Sequence, residues 1–391
     1  MQTLAFKYRI KLLGLVITVL VALIFAKSFL DHRREPQFDQ LLFITSTDYP
    51  TLANGISSFL IASAYNALFD NDFTTTSTHI KIGAMAIYLL AGWLLFTRYD
   101  HPHKTPLAVV CLLLLLTTRF PFGWLTTEVI AGGFLILVLW SYTAGLPFIF
   151  SAVFLAGFSF AKPDLIFSGI PVGLYMAYLS RDDWRGRFIN GGVLAVAFLV
   201  LLIPAGLEGG TSSNRSLMSL HQHYAVAVER HQIIADPPDP WAQTEQYLPN
   251  TWGDAASLGA AIWDNPRLYY DFLFLSIGNT IYNIFASGVI LLVPVWGYCF
   301  YKIKDRRARI ITLLFLIGII PITLLSFMHT RYLTRFYPLM VWIIYLYAAE
   351  EYDEPLPQKL ITTYLVVILI LQIVWLNPVL KLALWVQTTR L

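Results

Sequence analysis

Charge is what this chain has least of. Asp, Glu, Lys and Arg make up 13% of its 391 residues, against 57% apolar ones. A soluble domain carries about a quarter charged residues, so the shortage points to a non-aqueous solvent for much of the surface. Cysteine is rarer still. Cys111 and Cys299 both sit in apolar runs without metal-type spacing, which marks them as small core residues. No G-x-G-x-x-G follows a strand and no G-x-x-x-x-G-K-[ST] occurs, so no soluble nucleotide-binding domain is indicated. The alternating pattern of a membrane barrel is missing. So is any convincing repeat between the two halves of the kind many transporters show.

What is present is a series of long uncharged runs. Leu12–Phe25, Ile82–Phe96, Phe188–Pro204, Ile310–Phe327 and Leu360–Leu376 are the plainest. Each approaches the roughly 20 apolar residues that carry a helix across a bilayer. The fold class expected is therefore an all-α polytopic membrane protein with about eleven transmembrane helices and helices lying on its outer face. The spans fall near 12–30, 80–97, 106–124, 128–144, 147–161, 164–179, 188–206, 272–301, 310–327, 336–349 and 360–376. Lys7, Arg9 and Lys11 precede the first, which places the N-terminus in the cytoplasm. The later basic clusters, notably Arg181 to Arg187 and Lys302 to Arg309, then return to the same side. The C-terminus is expected outside. The first run lacks a small-x-small cleavage site before Asp31 and reads as a retained span.

The chain 1–391 reads as one transmembrane domain with two large outer segments, 31–79 and 207–271. Thr51–Phe69 is long enough to cross, but crossing would put the basic cluster around Arg306 outside. Its Ser, Asn and Gly content suits a wet surface helix instead, N-capped near Asp48 and started by Pro50. The second segment is rich in Pro and Trp, with Trp241, Trp252 and Trp263 as expected interfacial anchors. His221-x-His223 lacks a third ligand at suitable spacing and reads as part of a surface helix, so no metal is expected there.

Ionisable groups at membrane depth are costly and usually face a cavity or a partner. On this topology Asp48, Glu128, Lys162, Asp164, Arg331 and Arg335 share one depth at the outer face, although they come from four stretches of chain. Acids and bases gathered at one face suggest a polar chamber.

Those four stretches resemble the GT-C superfamily of membrane glycosyltransferases, in family order. They are Thr-Asp48-Tyr-Pro before the surface helix, Thr-Glu128 opening an apolar helix, Ala-Lys162-Pro-Asp164-Leu-Ile, and Thr-Arg331-Tyr-Leu-Thr-Arg335-Phe-Tyr-Pro338. The resemblance implies transfer of a sugar from a polyprenyl- or dolichyl-phosphate donor to a glycan, lipid or protein acceptor. Asp48 is then the expected base, with Asp39 as the fallback. Arg335 and Arg331, helped by Lys162, would grip the donor phosphate, since a guanidinium binds phosphate oxygens in pairs. Glu128 and Asp164 would orient the base or hold sugar hydroxyls. Tyr224, Trp241 and Trp252 would belong to the acceptor region. Asp70-Asn71-Asp72 matches the D-x-D pattern for a divalent cation, but an Asx turn closing the surface helix is the favoured reading, and a monophosphate donor needs no metal. No cofactor and no nucleic-acid partner are expected. Short basic loops against anionic lipid suit a bacterial inner (plasma) membrane.

Two other readings remain open at this stage. An O-antigen polymerase or ligase also joins many spans to a large outer loop. A transporter or a non-catalytic accessory subunit is the alternative outside enzymes.

Overall fold

The computed structural model describes residues 87–97, 104–117, 127–202, 217, 220–227, 252–253, 255, 257–286, 291–325, 335–350 and 358–371. The expected surface helix 51–69 and the whole outer segment 31–79 lie outside them.

Every regular element among the described residues is helical. In chain order they are α1 (Ile87–Phe96), α2 (Lys104–Thr117), α3 (Thr127–Thr143), α4 (Phe148–Ser159), a 3-10 turn (Pro163–Leu165), α5 (Ile166–Leu179) and α6 (Trp184–Leu202). There follow α7 (220–227), α8 (Leu258–Asp264), α9 (Pro266–Ala286), α10 (Leu292–Lys302), α11 (Arg306–Leu316), α12 (Ile319–Leu325), α13 (Tyr337–Glu350) and α14 (Gln358–Leu371). Among the described residues two stretches, Trp184–Leu202 and Arg306–Leu324, are long and apolar enough to cross a membrane.

The expected spans 128–144, 147–161, 164–179 and 336–349 coincide with α3, α4, α5 and α13 to within two residues. The expected span 272–301 takes in most of α9, a helix of 21 residues, and nearly all of α10, a helix of 11, while residues 287–290 between them lie outside the described residues.

Helices α3, α4, α5, α6 and α11 pack side by side, and α13 lies against α2, α3 and α10. Their core holds Leu135, Leu139, Leu155, Phe158, Phe315 and Trp342. Small residues set the spacing. A Cβ on Gly157 would meet the Phe134 ring, and one on Gly169 would lie 1.6 Å from Ser159 Oγ. The outside of the bundle is as apolar as its inside. Phe167, Leu174, Phe188, Val196, Leu199 and Phe274 are all exposed.

The registers fix which ends meet. Ser141 Oγ and Ser151 Oγ hydrogen-bond at 2.7 Å, and Phe134 faces Gly157, so α3 and α4 run antiparallel. Continued toward the start of α3, that register sets Glu128 level with the turn at 162–164. Ser168 Oγ donates to the Phe315 carbonyl at 2.9 Å, while Tyr175 lies within electrostatic range of Arg306 and Arg307. Helices α5 and α11 are therefore antiparallel too. One end of the bundle carries Lys162 and Asp164, and the other carries Asp305 to Arg307.

Candidate functional site

The turn between α4 and α5 is built tightly. Helix α4 ends as the Phe160 and Ala161 N–H groups donate to carbonyls at Ala156 and Phe158. Pro163 then opens a single 3-10 turn, closed by the Leu165 N–H on the Lys162 carbonyl at 3.0 Å. Proline suits that first position because its missing N–H would have had no partner there. The turn holds Asp164 at the rim, about a quarter exposed.

Arg335 meets it from across the chain. It stands just before α13, whose Pro338 falls in the first turn. The side chain is 1% exposed, its Cζ lies 5.3 Å from the Phe336 ring centroid, and its Nη2 donates to Asp164 Oδ2. The partners are 171 residues apart in sequence. A guanidinium taken out of water is tolerated only with such a partner. Removing one member of a fully buried pair costs about 3–5 kcal/mol, and the partial exposure of Asp164 lowers that figure here. With Lys162 on the same turn, these three side chains sum to a charge of +1. The site can thus hold an anion while keeping one carboxylate for hydroxyl groups.

Of the residues singled out in the sequence, Asp164 and Arg335 are brought into contact, and Lys162 is on the turn that carries Asp164. Helix α3 begins at Thr127, which sets Glu128 in its first turn, level with residues 162–164. Asp48, Asp39, Arg331, Trp241, Asp70 and Asp72 lie outside the described residues.

Tyr224 and Trp252 form a second, smaller cluster. Their rings pack edge to face with centroids 5.4 Å apart, beside Leu217, Leu220, Ala261 and Phe272. Asn265 Nδ2 donates to the Trp252 carbonyl at 3.2 Å, tying α8 to this cluster. Trp252 is buried rather than presented to an interface, whereas Trp263 is 85% exposed. Burial first, and the Asp271 carboxylate second, push the Tyr224 hydroxyl above its usual pKa.

His221 is the residue that sequence reasoning missed. Read as one histidine of a surface helix, it is instead 1% exposed, with no hydrogen-bond partner on either ring nitrogen among the described residues. Burial lowers its pKa. The available signal was the spacing Leu217, His221, Tyr224, which puts all three on one helix face. Among the described residues no three His, Cys, Asp or Glu side chains converge as metal ligands. No known protein family, curated protein or solved structure matches this chain.

Proposed function

We propose that the chain is a polytopic membrane glycosyltransferase that moves a sugar from a polyprenyl-phosphate donor to an acceptor at the outer face of a bacterial inner membrane. Eleven spans, a cytoplasmic N-terminus and an outer C-terminus belong to this reading. The observation that carries it is the pair of buried Arg335 and partly exposed Asp164, beside Lys162, at one end of an apolar helical bundle. The apolar exterior supports it further, because exposed apolar faces of this extent mark contact with lipid or a partner.

The reaction is a single displacement. The acceptor hydroxyl loses its proton to the Asp48 carboxylate, and its oxygen bonds to the anomeric carbon. The bond from that carbon to the phosphate oxygen breaks, and the phosphate leaves with the electron pair. Arg335, with Arg331 and Lys162, stabilises the charge that develops on it. Asp164 and Glu128 orient the sugar or the base. The leaving group is a monophosphate, so the reading needs no metal.

The test is turnover of purified, lipid-replete protein with a panel of polyprenyl-phosphate sugars, comparing wild type with Asp48→Asn and Arg335→Lys. Donor consumption that falls by orders of magnitude in Asp48→Asn supports both class and base. Consumption unaffected by that change moves the base to Asp39. A folded protein that consumes no donor overturns the proposal in favour of a polymerase, a ligase or an accessory subunit.

A further inference from the structure

The end of the bundle opposite Asp164 carries a second concentration of charge. Residues 180–187 hold three arginines against two aspartates, and residues 302–309 hold five basic side chains against Asp305, a surplus of +5. Far apart in sequence, the two loops converge on the end of α5. Arg187 Cζ stacks 3.9 Å from the Tyr178 ring centroid, and Tyr175, one turn earlier, feels Arg307 and Arg306.

The carboxylates in these loops are largely committed elsewhere. Asp305 caps α11, accepting from the backbone N–H of Arg307 at 2.8 Å and of Ala308 at 3.1 Å. Asp183 accepts from the Gly186 N–H at 2.7 Å. Arg181, Arg185, Arg306 and Arg307 are exposed around them. Arg309 Nε has no acceptor among the described residues. The patch is bordered by bare aromatic surface, since Trp184 is 80% and Phe188 76% exposed at the start of α6.

Cations beside exposed aromatic rings, at the end of helices that are apolar outside, match a lipid headgroup lying over its own acyl chains. We infer that the two loops together form a binding site for anionic phospholipid headgroups, with the guanidinium groups on the phosphates and Trp184 and Phe188 at the headgroup boundary. The inference rests on the membrane reading above but not on glycosyl transfer, and its readout needs no turnover.

The full chain, purified in neutral detergent, is mixed with equal amounts of phosphatidylglycerol and phosphatidylcholine and analysed by native mass spectrometry. Wild type is expected to retain phosphatidylglycerol selectively. Each arginine removed should lower that preference about five-fold, so Arg306→Gln/Arg307→Gln should abolish most of it. Arg181→Gln/Arg185→Gln tests the other loop and serves if the first variant melts early in phosphatidylcholine micelles. Lys359→Gln, a charge removed from another helix, should leave the preference intact. Equal retention of the two lipids by wild type overturns the site. So does a loss in Lys359→Gln as large as in the arginine variants, which would reduce the effect to net charge.

Discussion

Ser168 donates its hydroxyl to the main-chain carbonyl of Phe315 at 2.9 Å, a bond between α5 and α11 that spans 147 residues of sequence. The same hydroxyl lies 2.0 Å from where a Cβ on Gly318 would stand. The bond forms because the two backbones approach closely, and they do so because residue 318 has no side chain.

Gly318→Ala should therefore destabilise the bundle by about 1–3 kcal/mol, the range for overpacking a tight contact. Gly169→Ala, aimed at Ser159, should behave alike. Gly191→Ala, with open space around it on α6, should be neutral or slightly stabilising through helix propensity. Thermal unfolding in detergent separates the three, and equal melting points would refute the packing argument.

The Asp164–Arg335 pair predicts strong coupling. Asp164→Ala leaves a buried guanidinium without its carboxylate and should cost about 2–4 kcal/mol. The double change Asp164→Leu/Arg335→Met should cost clearly less than its two single changes combined. A double-mutant cycle by denaturant titration measures this, and additive costs would mean that the pair carries no net interaction.

Acid should loosen the Tyr224–Trp252 cluster. The folded state holds His221 below its ordinary pKa of about 6.5, so the unfolded segment binds its proton first as pH falls. Stability is full above about 6.5 and declines below it, by at most about 1.4 kcal/mol per pH unit for one group. Hydrogen exchange across 220–227 between pH 7.5 and 5 should show the decline, and His221→Leu should remove it.

Tyr345 on α13 donates to the Phe96 carbonyl at 2.6 Å. That carbonyl belongs to the last turn of α1, where no helical N–H can reach it. Tyr345→Phe should cost about 0.6–1.5 kcal/mol. A melting point identical to wild type would show that water or another donor replaces the hydroxyl.

Helix ends were the legible part of this sequence. Pro147, the Lys162–Pro163–Asp164 turn and the Arg181–Asp183 cluster interrupt the apolar runs, so α4 and α5 fall where those interruptions predict. Helix α6 begins at Trp184 and not at 188, because its first turn is amphipathic and its charged residues resemble a loop. Faces were not legible at all. Phe188 is exposed and Phe198 buried on the same helix, yet a helix apolar all round has no periodicity to tell them apart. The candidate site was legible as depth alone. Counting spans puts Asp164 and Arg335 at one level, but only the packing of α13 against the rest of the bundle makes them partners. His221 was missed because its burial is a matter of packing that its own stretch of sequence does not announce.

The apolar exterior turns the usual map of tolerance inside out. In a protein surrounded by water, outward positions accept almost any polar residue and inward ones demand bulk. On the membrane reading proposed above, Leu199 and Val200 should accept any greasy side chain and reject charge. Gly169, Ser168 and Gly318 should accept almost nothing, because an added Cβ at either glycine would meet Ser159 or Ser168 at well under contact distance. A saturation library selected for folded protein should then show its sharpest depletion at the smallest residues.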